Sequence, residues 1–480
     1  MKEQPRPELW GLHAGKNGEL MLGNHGTIGL AGRFGTPLHV VNEARLERTA
    51  RGFIDAAAAL SPGRSSVHYA MKCNSVPAVV ETVLRAGAGC EVMTPYELEL
   101  ALRLGCPSRK IIVNGPAKSR EFLDACVRAD VRFIIADSLD ELTDIDEAAA
   151  ARGRTVEILL RVNPDFVPRG MNGGTATGSR TGCAFGLDLA GGELPAAFRL
   201  LRGCAHLRFA GVQMHIGTGI RRAEDYGRAL RRVRDIRGVA AAHGERLRVL
   251  DVGGGFGLPT SREYGTMEFL ASQAFGRTPA ADDGPMADTI PEFIGEIGRT
   301  ALGIFGAGNV PELVFEPGRC IVGGNQFLLL TVLRTKERPG AGRWIILDGG
   351  LSTVTLPTYY EHHDVIVCND ARRRADRRAT LIGPACFAGD VIYKNKMMPP
   401  VRRDDVLALM DTGAYFTALE SSFGFPRPAV VAVRGAECRL VRTRENFEDM
   451  TGRDVEWSPV AGAAAERPDV ADVNCERSLP

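Results

Sequence analysis

Residues 66 to 320 alternate between short apolar runs and helical patterns, and this alternation restricts the fold more than any other feature. Eight runs rich in β-forming residues are read as strands: Val67–Lys72, Cys90–Met93, Ile111–Asn114, Arg132–Ala136, Glu157–Val162, Gly211–Ile216, Arg248–Val252 and Glu312–Glu316. Segments between them, such as Ala78–Ala86 and Ala223–Ala242, have the i, i+3, i+4 spacing of amphipathic helices. The strand count favours an α/β fold with a parallel (β/α)8 barrel over a doubly wound open sheet.

After Arg319 the pattern becomes mostly β, with turns between the strands and few helices. Strand-like runs cover Phe327–Arg334, Arg343–Leu347, Asp364–Cys368, Ala379–Ile382, Val406–Met410 and Ala429–Val433. We therefore predict a barrel over residues 46–320 and a C-terminal β domain over 321–445. Residues 1–45, with the apolar run Leu38–Val41, are expected to add strands to that domain. Residues 446–480 are polar and rich in Ala and Pro, which predicts a flexible tail.

Composition excludes several classes of function. A formal charge of +1 gives no reason to expect a nucleic acid or an anionic membrane as partner. No apolar run approaches the roughly 20 residues that span a bilayer, and the first residues have no apolar signal core, which predicts a cytoplasmic protein. The 11 cysteines are scattered without a C-x-x-C pair, so we expect no metal site and no disulfide framework.

Ionisable residues lie at the predicted strand ends, where barrel enzymes carry their chemistry: Lys72, Glu91, Arg161, His215, Glu316 and Arg319. Lys72 ends the first strand. A lysine amine there either reaches solvent or forms a Schiff base with a carbonyl or with pyridoxal phosphate. Glu316 is suited to pair with the pyridine nitrogen of that cofactor, and an ion pair with Arg319 or Arg161 is the alternative.

Three glycines, Gly253, Gly254 and Gly255, follow the seventh strand and leave backbone N–H groups open to an anion. With Arg319 from the next strand as a second donor, they predict a phosphate site rather than a plain turn. The His215 ring is expected to stack on the cofactor, with the turn around Thr218 close to the phosphate. A satisfied core histidine is the alternative.

Two residues of the β domain are candidates for the same site. Cys386 follows a Gly-Pro turn and is suited to donate a proton if it is exposed, although most cysteines are inert core residues. Tyr415 is suited to bind phosphate through its hydroxyl, and a buried aromatic with a satisfied O–H is the alternative.

Together these motifs, in this order from about residue 38 to 440, resemble the ornithine/diaminopimelate/arginine decarboxylases, whose barrel is like that of alanine racemase (fold type III). The resemblance implies pyridoxal phosphate as cofactor, with Lys72 as its Schiff-base lysine and His215 stacked on the ring. It implies that Gly253–Gly255, Arg319 and Tyr415 hold the phosphate, that Glu316 pairs with the ring nitrogen, and that Glu91 and Arg161 lie near the cofactor. In this family the counterpart of Cys386 comes from the other subunit, which implies a homodimer with shared sites.

The substrate side departs from the family pattern. Phe387 stands where ornithine- and diaminopimelate-type enzymes carry an acidic residue, and Leu356 stands where diaminopimelate enzymes carry an arginine. Asp390 and Tyr360 are further candidates on this side. A missing charged partner at a buried site costs several kcal/mol, so diaminopimelate is disfavoured.

We therefore expect a small amino-acid substrate or an amino-acid derivative, for instance citryl- or carrier-linked, in secondary metabolism. The basic run Arg372, Arg373, Arg374, Arg377 and Arg378 is either a solvated loop or a dock for an acidic carrier protein. Diaminopimelate decarboxylase remains the main alternative, because the stretch from Gly389 to Lys394 resembles that branch. A racemase, which would place an arginine against the ring nitrogen, and a non-catalytic homologue are the others.

Overall fold

A closed eight-stranded parallel barrel forms the first half of the protein. The computed structural model describes residues 6–169, 182–276, 288–354 and 361–454. The barrel strands, one to eight, are Ser65–Ala70, Gly89–Val92, Ile111–Val113, Phe133–Ala136, Val156–Asn163, Leu207–Gln213, Val249–Asp251 and Glu312–Phe315. Strand eight pairs with strand one through Phe315 and Val67, which closes the barrel. The predicted barrel is confirmed, and each of the eight predicted strands lies within a few residues of its observed position.

Helices surround the barrel and bury their apolar faces against it. They cover Glu43–Leu60, Pro77–Arg85, Pro95–Arg103, Arg120–Ala129, Leu139–Ala151, Glu193–Leu201, Ala223–Leu230, Val233–Ala242 and Ile290–Phe305. A further helix, Thr266–Phe275, leaves Met267, Leu270 and Phe275 exposed. The predicted helix Ala223–Ala242 is two helices, because the amide of Arg232 bonds to the carbonyl of Ala229 in a tighter i→i+3 turn. A cluster of buried aliphatic and aromatic side chains, including Phe53 and Phe256, fills the space between barrel and helices.

The second half is a β domain, as predicted. One connected path of strands runs in the order Val391–Met398, Arg377–Ile382, Gly342–Leu347, Gln326–Arg338, Leu38–Asn42, Ala429–Arg434 and Glu437–Arg442. Val406–Leu409 also pairs with Gln326–Arg338 and with Val365–Val367. Two of these strands, Val391–Met398 and Glu437–Arg442, were missed from sequence.

The N-terminal segment lies against the β domain. Strand Leu38–Asn42 is wholly buried between Gln326–Arg338, to which it is antiparallel, and Ala429–Arg434, to which it is parallel. Before it come the helix Thr27–Phe34 and three short strands, His13–Ala14, Leu20–Leu22 and His25–Gly26. The Trp10 indole donates to Asp411 at 2.9 Å and fixes this segment to the domain.

At the C-terminal end, Asn446 caps a short helix, Phe447–Thr451, in the region where a flexible tail was predicted. Residues 455–480 lie outside the described part. Within the described ranges, no helix is long and apolar enough to cross a membrane.

Candidate active site

Lys72 lies in a 3-10 turn, Met71–Cys73, directly after barrel strand one. Its Nζ is 2.5 Å from an oxygen of Glu91, which lies in strand two and is buried. Burial alone would lower the pKa of Lys72, but the negative charges of Glu91 and then Glu316 outweigh burial and raise it. The amine is therefore held as a cation at the carboxyl end of the barrel.

Glu316 follows strand eight and is buried inside the barrel. Its two oxygens accept N–H groups from the side-chain amides of Asn114, at 3.3 Å, and Gln213, at 3.2 Å. Burial and the nearby charge of Glu91 raise the pKa of Glu316, while Lys72 and Arg161 act in the opposite direction. The alternative considered from sequence, an ion pair of Glu316 with Arg319 or Arg161, is not among the contacts of the described residues. Glu316 is instead a buried acid held by neutral donors.

The triple-glycine loop is a packed element rather than a loose turn. A Cβ on Gly254 would lie 2.2 Å from the Glu316 carbonyl oxygen, and one on Gly255 would lie 2.1 Å from that of Gly217. Gly253 and Gly255 also have positive φ. The loop therefore lies pressed between the ends of strands six and eight.

His215 and Thr218 lie beside this loop, after strand six, and both are partly buried. The Gly254 N–H donates to Nδ1 of His215 at 3.4 Å, so this nitrogen carries no proton. Burial, then the charges of Arg161 and Lys72, lower the pKa of His215 to about 3. The ring is neutral at physiological pH and available for stacking.

Arg319 begins a short helix, Arg319–Val322, and donates to Glu361 at 2.7 Å. Its guanidinium lies 5.1 Å from the centre of the Tyr415 ring, and its Nε has no partner among the described residues. Burial would lower the pKa of Arg319, but Glu361 raises it. The amide of Tyr415 donates to the carbonyl of Cys73, and this bond connects Tyr415 and the neighbouring Arg319 to the turn that carries Lys72. Glu361 was missed from sequence because no recognisable motif marks its position.

Arg161, in strand five, lies 3.3 Å from Asp137 and over the Phe185 ring at 4.7 Å. One of its nitrogens is 3.5 Å from Asn114, whose amide bonds Glu316. Arg161 therefore connects to Glu316 through an amide rather than directly. Asn114 and Asp137 directly follow strands three and four, so the strand-end rule that found Arg161 also points to them.

Of the predicted substrate residues, Phe387 and Asp390 lie in the β domain, within the described part of the chain. Cys386 and Phe387 are exposed, and the Phe387 ring meets that of Phe423 at 5.9 Å. Asp390 is buried, and its oxygens accept the amides of Leu351, at 2.6 Å, and Ala385, at 2.9 Å. Leu356 and Tyr360 lie outside the described residues.

The basic run after residue 371 is partly used within the chain. Arg373 pairs with Asp405 at 2.6 Å, Arg372 donates to the carbonyl of Gly15 at 2.7 Å, and Arg378 donates to that of Asn395. Arg377 lies 3.4 Å from Asp376.

The grouped residues fit pyridoxal phosphate. The cofactor needs an amine for its aldehyde, an acid for its ring nitrogen and N–H donors for its phosphate. Lys72 and Glu316 share one end of the barrel, and the Gly253–Gly255 loop, where no Cβ fits, borders both His215 and Glu316. The unpartnered Nε of Arg319 is a further donor.

This barrel with its β domain and strand-end lysine defines the class of pyridoxal-phosphate enzymes whose barrel is like that of alanine racemase. Residues 46–323 match the family model described as pyridoxal-dependent decarboxylase, pyridoxal binding domain. The chain therefore belongs to the pyridoxal-dependent decarboxylases, and it is a pyridoxal-phosphate-dependent amino-acid decarboxylase. The family confirms the cofactor and the reaction class expected from sequence.

Among its relatives, the diaminopimelate decarboxylase of Methanocaldococcus jannaschii is 28% identical over 92% of this chain and 96% of its own. That of Actinosynnema pretiosum subsp. auranticum is 33% identical over 93% and 95%. The crystal structure of the Methanocaldococcus jannaschii enzyme superposes with a TM-score of 0.82 at 26% identity, covering 94% of this chain and 98% of the other.

Proposed function

We propose that this decarboxylase acts on an amino acid or an amino-acid derivative whose distal end differs from that of diaminopimelate. The observation that carries the proposal is Phe387, an exposed aromatic next to Cys386, at a position where the resembling enzymes carry an acid for a distal amine. An aromatic side chain cannot pair with an ammonium group as a carboxylate does. The absent arginine at Leu356 supports the same conclusion from sequence.

In this proposal residues of the barrel, with Tyr415 of the β domain, bind and orient the cofactor. Lys72 supplies the amine for its aldehyde. The Gly253–Gly255 amides, Arg319 and Tyr415 bind its phosphate, with Thr218 beside them, and the neutral His215 ring packs on its face. Glu316 holds the ring nitrogen protonated. When bound, pyridoxal phosphate accepts the electron pair released as the Cα–carboxylate bond breaks.

Glu91 keeps the Lys72 amine in place through their 2.5 Å contact, and Arg161 supports Glu316 through Asn114. Asp390, whose oxygens are both occupied by backbone amides, is proposed to shape the Cys386 loop rather than to touch the substrate. Its predicted role is thereby changed from a binding residue to a positioning residue.

Cys386 is proposed to return a proton to Cα after decarboxylation, at the site of a second subunit. Its thiol is exposed, and no contact joins it to the Lys72 cluster among the described residues. Phe387 and Phe423 beside it are also exposed, and apolar side chains grouped at a surface favour an interface. The protein is therefore proposed to be a homodimer with shared sites.

Diaminopimelate is the second candidate substrate. The relatives above carry the name diaminopimelate decarboxylase, and they match over nearly the whole chain. A second crystal structure of the Methanocaldococcus jannaschii enzyme contains L-lysine and superposes with a TM-score of 0.81.

The test compares release of CO2 from diaminopimelate, lysine, ornithine, arginine, and citryl- and carrier-linked amino acids. We expect wild type to prefer a substrate other than diaminopimelate. Phe387→Glu should raise kcat/KM for diaminopimelate by roughly 10- to 100-fold, the worth of one charged hydrogen bond. Phe423→Glu, which adds the same charge nearby, is the matched control and should not. Diaminopimelate as the best substrate of the wild type would defeat the proposal.

A further inference from the structure

Asp251 is a second buried carboxyl group next to Glu316. It ends barrel strand seven, between Gln213 of strand six and Val314 of strand eight, and it has no exposed surface. One of its oxygens, Oδ1, accepts the Gly253 N–H at 2.8 Å. The other, Oδ2, receives no donor among the described residues, and the carboxyl group lies next to that of Glu316.

This part of the barrel contains more acceptors than donors. Oε1 of Gln213 is also buried without a donor among the described residues, while its amide nitrogen is already used by Glu316. Two ionised carboxylates in contact offer only acceptors and repel each other. A proton on one carboxyl group removes the repulsion and supplies the missing donor.

The surroundings decide which carboxyl group carries that proton. Glu316 has two amide donors and lies near the cations Lys72 and Arg161, all of which stabilise its negative charge. Asp251 has one backbone donor, and the charged groups that face it, Glu316 and Glu91, are both acidic. Burial and then the Glu316 charge raise the pKa of Asp251.

We propose that Asp251 is a positioning residue that stays protonated and donates a hydrogen bond to Glu316, so that the single negative charge of the pair is held at Glu316. Its other oxygen anchors Gly253, and the Gly253 carbonyl in turn accepts the Glu316 amide at 2.9 Å. Asp251 therefore connects the glycine loop to the acid. Its effect on cofactor binding rests on the proposed pairing of Glu316 with the ring nitrogen.

The first test uses the cofactor-free protein and pH. An aspartate with an unfolded pKa of about 3.9 that stays protonated after folding must take up a proton, so above this pH its folding constant falls by up to about tenfold per pH unit. Asp251→Asn keeps an acceptor for the Gly253 N–H and a donor to Glu316, but it removes the uptake of a proton on folding. The melting temperature of the variant minus that of the wild type should therefore increase by about 2–5 °C as the pH rises from 5 to 9. A difference that is constant or falls with pH would mean that Asp251 is ionised, and the proposal would fail.

The second test measures affinity for pyridoxal phosphate by absorbance titration. Asp251→Asn should bind within about threefold of wild type. Asp251→Leu, which leaves Glu316 and the Gly253 N–H without their partner, should bind at least roughly tenfold more weakly, as should Glu316→Gln. Weak binding by Asp251→Asn with normal binding by Glu316→Gln would place the proton on Glu316 and overturn the proposal. If Glu316→Gln and Asp251→Asn both bind normally, the pairing of Glu316 with the ring nitrogen is wrong, while the melting experiment still decides the state of Asp251.

Discussion

Lys72 keeps its charge in a largely buried place because Glu91 lies beside its amine. A strand-end lysine without this partner would lose its proton more easily, since burial disfavours the charged form. The contact has a chemical consequence, because only an uncharged amine reacts with an aldehyde. Glu91 is therefore expected to control the pH at which Lys72 takes up the cofactor.

Glu91→Gln should lower the pKa of Lys72, since it removes the nearer of two negative charges. The pH at which cofactor uptake is half-maximal should fall by about one to two units. Stopped-flow absorbance of the cofactor-free protein mixed with pyridoxal phosphate, at a series of pH values, measures this. Glu99→Gln, which removes an exposed carboxylate paired with Arg103, is the matched control. An unchanged profile in Glu91→Gln would show that the contact does not set the pKa.

Residue by residue, the sequence indicated the strand-end positions well. Lys72, Glu91, Arg161, His215 and Glu316 gather at one end of the barrel because strand ends of a parallel barrel meet there. Asp251 follows the same rule, but it was overlooked from sequence because only the glycine run after it was interpreted. Glu361 was not predictable, because its partner Arg319 is distant in sequence and the pairing depends on how the two domains pack.

At the scale of elements, the glycine loop depends on the absence of side chains. Gly255→Ala would add a Cβ that meets the Gly217 carbonyl oxygen, at a φ of +96° that L residues rarely adopt. We expect this variant to lose about 1–3 kcal/mol of stability and at least tenfold in affinity for pyridoxal phosphate. Urea denaturation and absorbance titration measure the two effects.

Gly238→Ala is the control for that substitution. Gly238 lies on the exposed side of helix Val233–Ala242, and an added Cβ meets nothing within 4 Å. It should raise stability by about 0.5–1 kcal/mol and leave cofactor affinity alone. Equal effects of the two substitutions would mean that the loop tolerates a side chain.

Most elements were predictable because their apolar periodicity is strong, whereas the two missed strands show why some are not. Glu437–Arg442 is an edge strand with no buried residue, and its alternation of polar and apolar residues is broken at Val441. Val391–Met398 is interrupted at Asn395, which has a positive φ, and its pairing with Arg377–Ile382 shifts register there. Such a bulge breaks the period of two on which strand prediction depends.

At the scale of the whole molecule, the proposed shared sites predict complementation between inactive subunits. Lys72→Ala and Cys386→Ala should each be nearly inactive alone. After the two are mixed and allowed to exchange subunits, half of the dimers are hybrids with one intact site, so roughly a quarter of wild-type activity should return. Analytical ultracentrifugation checks that dimers are present. Dimers that exchange subunits but recover no activity would place Cys386 and Lys72 of the same site on one chain.

The assembly and the distal substrate contacts are the parts least open to sequence reasoning. Both depend on surfaces that face another molecule, and a single chain carries no periodic signal for them. Phe387 and Phe423 illustrate this, because their exposure becomes informative only when they are seen side by side.

Strand Leu38–Asn42 has a consequence for biosynthesis. It is mostly apolar and fully buried, yet Val41 pairs with Gln326, 285 residues later, and Val40 pairs with Val431, 391 residues later. During translation this strand must wait with its backbone unpaired while the whole barrel emerges from the ribosome. Contacts between residues so far apart in the sequence slow folding, and an unpaired strand rich in apolar residues favours aggregation. The nascent chain is therefore expected to need chaperone protection until the last strands are synthesised.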